Sequence, residues 1–276
     1  MSKRIVITGA ASGLGLALAL EYAKNGARIA VADRQDGSAA VQQIIAAGGE
    51  AFYQPCDVTS DESMQALVEA VKQRFGGVDV LCANAGVATG GAIEDETLAD
   101  WQWGLEVNLL GVVRTCKGFL PLLNEGSHIL CTASAAGLVA MPRMGSYCAN
   151  KAAVVSFAET MAIELNARGI KVSVACPEFF KTNLDKSVRD DAVELKALVT
   201  KLLERSGVSA EQIAQQIVAA MAAGEFQIVT HKSTRKVMWF KRLLNKQQYM
   251  RMMIKKLGHF GIRKSQSTDA EAKEAA

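Results

Sequence analysis

Apolar residues come along this chain in two rhythms. Short β-branched runs occur at RIVIT (4–8), ARIAVAD (27–33), AFYQPCDV (51–58), VDVLCANAG (78–86), HILCTAS (128–134), IKVSVACP (170–177) and FQIVTH (226–231). Between them lie amphipathic stretches such as 14–25, 61–75, 97–120 and 147–168, each long enough to cross over a sheet. Strand and helix in strict alternation predict parallel strands with helices on both faces. The expected fold class is therefore α/β: a doubly wound parallel sheet of about seven strands in a single domain, with no linker or internal repeat.

Two segments break the rhythm. Residues 183–206, NLDKSVRDDAVELKALVTKLLERS, are expected to form a charged amphipathic helix ahead of the helix near 209–223. Leu184, Val188, Leu195, Leu198, Val199, Leu202 and Leu203 give it an apolar stripe. The stripe either docks on the core or closes a cleft as a lid, with Met141, Met144 and Phe179 extending the wall. The other segment is the end of the chain. Between Phe226 and Thr268 there are 11 Lys or Arg and no acid, leaving 20 of the 31 basic residues against all 28 acidic ones, a formal −8 inside a total of +3. Residues 232–264 combine these bases with Trp239, Phe240, Leu243, Leu244, Met252, Met253 and Leu257, a basic amphipathic extension. Packing within the molecule or onto another subunit, including cover over the mouth of a cleft, ranks first for it. Peripheral contact with an anionic membrane ranks second, and nucleic acid last, because no recognition motif accompanies the charge. Residues 265–276 lack large apolar side chains and are expected to be disordered.

Composition removes several classes. The six cysteines include no CxxC, and Cys82, Cys131 and Cys176 fall in strand-like runs, so they read as reduced core thiols. His128, His231 and His259 are scattered, which leaves no zinc ligand set, and His128 at a strand start reads as structural. The first thirty residues lack the order of a secretion signal, and no apolar run approaches the roughly 18 residues of a membrane span. A cytoplasmic protein is the expectation.

The turn after the first strand carries the first chemistry. TGAASGLG places Gly9, Gly13 and Gly15, with Ser12 and Leu14 between them, at the opening of the first helix. Free helix amides and a positive dipole end face a phosphate there, and glycines let a pyrophosphate approach the backbone. The spacing is GxxxGxG. Asp33, 18 residues after Gly15 at the end of the second strand, can accept bonds from ribose hydroxyls and would repel the extra phosphate of NADP. Arg34 beside it can pair with that phosphate. The acid at the strand end favours NAD over NADP. Further along, Tyr147 and Lys151 in YCANK stand one helical turn apart on one face.

With these residues in hand the sequence resembles the short-chain dehydrogenase/reductase family over residues 4 to about 231. The family's TGxxxGxG is TGAASGLG, its adenine-contacting pair is Asp57 and Val58, and its NAG is Asn84, Ala85 and Gly86. Its catalytic set falls on Asn108, Ser134, Tyr147 and Lys151. The resemblance implies a Rossmann-like fold, NAD or NADP as cofactor, and hydride transfer between the nicotinamide and a carbonyl carbon. It implies Tyr147 as the general acid/base, Ser134 orienting the substrate oxygen, and Lys151 also holding the nicotinamide ribose and linked through water to Asn108. Pro177 and Thr182 flank the nicotinamide end, Thr182 at its carboxamide. It also implies a homodimer or homotetramer through the helix around 149–165. Position 83 is Ala83, a mild departure, and Glu178 stands where the family has Gly, which is expected to bring bulk and charge to the nicotinamide end of the cleft. Cys148, beside Tyr147, is assigned to packing.

A tyrosine with an ordinary pKa of about 10 needs roughly 3–4 kcal/mol of differential stabilisation to exchange protons near neutrality. A nearby lysine ammonium supplies that direction of shift. The expected organisation is a dinucleotide-binding and catalytic domain over 1–231 with a substrate lid at about 183–206, then the extension 232–264 and the tail 265–276. The expected function is an NAD(P)-dependent oxidoreductase on a lipophilic secondary alcohol or ketone. The alternatives are a catalytically idle dinucleotide sensor and an epimerase or dehydratase of the extended relatives. GxxxGxG spacing and the lack of a separate sugar-binding domain stand against the latter, and the intact Ser134, Tyr147 and Lys151 against the former.

Overall fold

The computed structural model describes residues 2–258 apart from 183, 190, 191 and 205. The expected disordered tail 265–276, residues 259–264 of the extension and the side chain of Leu198 lie outside the described residues. The strands are β1 (Arg4–Thr8), β2 (Arg28–Asp33), β3 (Glu50–Pro55), β4 (Val78–Ala83), β5 (Leu123–Thr132), β6 (Lys171–Ala175) and β7 (Gln227–Ile228). They form one sheet in the order β3-β2-β1-β4-β5-β6-β7, with every pairing parallel.

The helices are α1 (Gly13–Ala23), α2 (Ser38–Ala46), α3 (Asp61–Phe75), α4 (Leu98–Leu105), α5 (Gly111–Phe119), α6 (Gly145–Leu165), α7 (Val193–Glu204), α8 (Ala210–Ala222), α9 (Lys232–Leu243) and α10 (Lys246–Leu257). Side chains along a strand alternate between faces, and β1 shows the result. Its Ile5 and Ile7 join Leu18, Ile44 and Ile213 of α1, α2 and α8 in one core. Its Val6 joins Leu67, Phe119 and Val154 of α3, α5 and α6 in the other. Because β2 and β3 lie on one side of β1 and β4 on the other, the crossovers diverge between β1 and β4 and leave a crevice at their carboxyl ends.

The departures from the sequence pattern have local causes. The third run stops at Pro55, so Asp57 and Val58 sit in the turn that leads to α3. β5 begins at Leu123, ahead of the expected 128, because Leu123 pairs with Val78 and the Ser127 hydroxyl donates to the Val78 carbonyl at 2.8 Å. The helix expected over 97–120 is divided by a π-helical turn, Glu106–Leu110. The helix expected over 183–206 is also divided, into a 3-10 turn Leu184–Ser187 and α7. Ser187 explains the first piece: its hydroxyl donates to the Leu184 carbonyl at 2.6 Å and accepts the Ala88 amide at 3.0 Å, tying the chain to the loop after β4.

Candidate active site

The turn leaving β1 lies in that crevice. Gly9 (φ +67°) and Gly13 (φ +56°) have left-handed backbones, and a Cβ on Gly9 would lie 2.9 Å from Ala85 Cα. Gly15 is required for closeness, since a Cβ there would fall 2.1 Å from the Gly9 carbonyl oxygen. Ser12 occupies the N-cap of α1 without a side-chain bond, and the first turn carries no acid, so the helix presents its opening amides to an anion. The Ala11 amide donates to Asp33 Oδ2 and the Gln35 amide to Asp33 Oδ1, both at 2.9 Å, binding the turn to the end of β2. At Asp57 burial opposes the charge, but the amide and hydroxyl of Thr59 on Oδ1, with Arg34 and Arg114 nearby, hold the carboxyl below its ordinary range.

Asn84 fastens three strand ends together. The Thr8 hydroxyl accepts the amides of Asn84 (3.0 Å) and Ala85 (3.2 Å), Asn84 Nδ2 donates to the Thr8 carbonyl (3.0 Å), and Thr132 Oγ1 donates to Asn84 Oδ1 (3.1 Å). Asn108 sits in the π-helical turn, a widening often found at functional sites. It is fully buried, accepting the Val87 amide at 2.9 Å and donating to the Val87 carbonyl at 3.0 Å. Gly86 lies between Asn108 and Lys151, where a Cβ would come 2.9 Å from Asn108 Oδ1 and 3.3 Å from Lys151 Nζ.

Tyr147 and Lys151 stand in the first turns of α6, both buried, with Lys151 Nζ 5.8 Å from the tyrosine ring centre and donating to the Thr132 carbonyl at 3.0 Å. Ser134 follows β5, accepts the Ala136 amide at 3.1 Å, donates to the Pro177 carbonyl at 3.4 Å and lies beside the Tyr147 phenol. Burial pushes that phenol up to about 12 against the lowering by Ser134, and burial pulls the Lys151 ammonium down to about 8. This reverses the expected acidification of Tyr147. Desolvation penalises both charged forms, and the ammonium finds a neutral carbonyl rather than a carboxylate.

A cavity of about 770 Å³ runs past these groups, lined by Gly9, Ser12, Gly13, Leu14, Asp33, Arg34, Asp57, Val58, Asn84, Ala85, Gly86, Ser134, Tyr147, Lys151, Pro177 and Thr182. Of the expected site residues, Gly15 and Asn108 are not among its lining residues; they pack beneath it against Gly9 and Val87. Met141 and Phe179 line it as expected, whereas Met144 packs against Ala136 and Tyr147 instead. The stripe of 183–206 does two things: Leu195 and Val199 are buried with Ala88, while Leu184, Val188 and Leu203 reach the cavity.

Glu178 lines the cavity beside Pro177, as expected, but its charge is engaged there. Its Oε1 accepts the Thr234 amide at 2.8 Å and the hydroxyls of Ser233 and Thr234, so the carboxylate also caps the start of α9. Carboxylates are favoured at helix N-termini. Lys241 Nζ then donates to the Leu138 carbonyl at 2.6 Å, holding α9 at a second point. Through Thr234 and Val237 of α9 and Met253 and Leu257 of α10, the C-terminal helices line the cavity. Only the departure at position 178 could have signalled this latch in the sequence, since its partners lie 55 and 56 residues away. His128 is structural, bonded to Ser173 Oγ at 2.8 Å and pulled down to about 4 by burial. All six cysteines are free thiols, and Cys148 packs against Met141.

Comparison with known proteins matches the family described as short chain dehydrogenase over residues 3–193. A 3-oxoacyl-(acyl-carrier-protein) reductase of Synechocystis is 33% identical over 193 residues, covering 68% of this chain and 78% of its own. A short chain dehydrogenase/reductase from Burkholderia phymatum, solved in complex with NAD, superposes with TM-score 0.82 at 33% identity, over 86% of this chain and 92% of that one. An alcohol dehydrogenase from Thermococcus sibiricus, complexed with 5-hydroxy-NADP, superposes with TM-score 0.72 at 27% identity, over 83% and 96%.

Proposed function

This chain belongs to the short-chain dehydrogenase/reductase family, NAD(P)-dependent oxidoreductases acting on CH–OH groups, and on that premise we propose that it interconverts a lipophilic secondary alcohol and its ketone. The observation that carries the reading is the convergence of Ser134, Tyr147 and Lys151 with the glycine turn on a single cavity. The turn fits a dinucleotide, because Gly9 and Gly15 keep clear the space that a Cβ would fill. Gly9, Ser12, Gly13 and Leu14 would hold the pyrophosphate, Asp33 and Arg34 the adenosine ribose, Asp57 and Val58 the adenine, and Asn84, Ala85, Gly86, Pro177 and Thr182 the nicotinamide half. When bound, the nicotinamide exchanges hydride with the carbon of the substrate.

The remaining chemistry falls to the chain's own side chains. In the reducing direction the Tyr147 O–H bond breaks as its proton passes to the substrate oxygen, and the electron pair stays as phenolate. A phenol held up near 12 is fully protonated at neutral pH, the form that donation needs. Ser134 orients the oxygen, and the Lys151 ammonium stabilises the phenolate that remains. In the oxidising direction Tyr147 must first lose its proton, so that rate rises with pH. Asp33, with its charge at the end of β2, supports NAD over NADP.

The lipophilic substrate class is supported by the apolar part of the wall, Met141, Phe179, Leu184, Val188, Leu203, Val237 and Met253. In this reading residues 1–231 are the catalytic body, about 183–206 a lid, and 232–264 a second cover; α6, with Ile163 exposed, is the face for a homodimer or homotetramer. The test is a panel of lipophilic ketones and alcohols followed at the nicotinamide absorbance, with separate titration of NADH and NADPH. Wild type should turn over and Tyr147→Phe should lose about 10³-fold in kcat while still binding the dinucleotide. A variant as active as wild type would remove Tyr147 from the reaction, and wild-type binding without turnover would return the protein to the sensor reading.

A further inference from the structure

The helices that line the cavity have another side. In α9, Thr234 and Val237 reach the cavity, and in α10 Met253 and Leu257 do. Elsewhere on the same helices large apolar side chains stand in solvent: Trp239 is 58% exposed, Leu243 60%, Met250 40% and Ile254 64%. Each pair is one turn apart, so each helix carries a short apolar ridge. Lys236, Arg242, Lys246, Arg251 and Lys255 surround the ridges and are also exposed. No acid occurs between Phe226 and Thr268, while the rest of the chain is net negative.

We propose that this surface docks onto an anionic lipid bilayer, with α9 and α10 lying in the headgroup layer and the cavity directly behind them. Apolar ridges bordered by cations without interspersed acids are what an interfacial helix requires: the cations meet lipid phosphates and the ridges enter the acyl boundary. Trp239 adds an apolar body with a polar edge, which suits the same layer. Among the described residues no helix is long and apolar enough to cross a membrane, so the contact is on the surface and does not span it. An acidic protein, including the acidic body of a second copy, would match the cations but set Trp239, Leu243, Met250 and Ile254 against a polar face. Passage of substrate from bilayer to cavity rests in addition on the proposed reaction; the docking does not.

The experiment is co-sedimentation of the full chain, with NAD present, on phosphatidylcholine vesicles and on the same vesicles with about 30% phosphatidylglycerol. The protein should sediment with the anionic vesicles only and be released by about 0.5 M salt. Lys236→Glu with Arg242→Glu should lower the partition coefficient at least about fivefold per charge. Trp239→Ser with Ile254→Ser should lower it further, with turnover of a water-soluble ketone and oligomeric mass unchanged. Equal binding to neutral and anionic vesicles, no binding, or variants that bind like the parent would overturn the proposal. A fall in oligomeric mass in either double variant would assign the surface to a second copy and overturn it as well. Vesicle binding through these residues without turnover of any ketone would leave docking standing and sink the proposed reaction; turnover without binding would do the reverse.

Discussion

The two sides of the cavity are made differently. The floor, from Gly9 to Lys151, is built at the carboxyl ends of adjacent strands, and its groups are fixed by backbone turns and short bonds: Thr8 to Asn84, Asn108 to Val87, Lys151 to Thr132. The roof, made of Leu184 to Leu203 together with α9 and α10, is chain laid over the crevice and held by a few side-chain latches, chiefly Glu178 on α9 and Ser187 on the Ala88 amide. The difference teaches where each property resides. Residues of the floor can dictate chemistry, because their geometry is over-determined by the sheet. Those of the roof can change what is admitted without disturbing what is done to it.

Substitutions can break that division. The largest effect is expected at Lys151→Met, which should cut kcat by about 10²- to 10⁴-fold while stabilising the protein without dinucleotide. The sign follows from burial: the ammonium is held near 8 in the folded chain against 10.5 unfolded. Below pH 8 it is charged in both states, at a cost to the folded one of up to about 3 kcal/mol, partly offset by its bond to Thr132. Thermal melts should show the variant's gain below pH 8 and its decline as pH rises from there toward 10.5. A variant less stable than wild type at pH 6 would refute this.

Gly15→Ala should come next. The added methyl meets the Gly9 carbonyl at 2.1 Å, so the turn must move, destabilising by about 1–3 kcal/mol and weakening dinucleotide affinity about tenfold, read by titration of cofactor fluorescence. Glu178→Gly, the residue of the family pattern, should free the start of α9, costing about 1–2 kcal/mol for the lost cap. KM for a lipophilic substrate should rise severalfold while dinucleotide affinity stays within about twofold. An equal loss in both would mean that floor and roof are one unit. Lys241→Met should be smallest, below about 1 kcal/mol for one exposed bond to Leu138.

The strand-helix alternation and the motif residues of the floor were legible in the sequence, whereas Thr8, Val87 and Thr132, which fasten them, were not singled out. The motif residues lie in short, local patterns: a glycine turn needing left-handed backbone, an acid at a strand tip, a tyrosine and lysine one helical turn apart. The parallel order of the sheet follows from the same alternation, since consecutive strands joined by crossing helices have few other arrangements. Other features required the folded chain. Asn108 reaches Val87 from a π-helical turn, and the raised pKa of Tyr147 arises from its burial in the packed chain. That Glu178 at the cleft also caps a helix depends on Ser233 and Thr234 more than fifty residues later. Local pattern thus determined the elements and the chemistry they carry. Contacts closed across long stretches of chain decided the desolvation of that chemistry and the shape of its cover, because burial and long-range bonds exist only once the elements have packed.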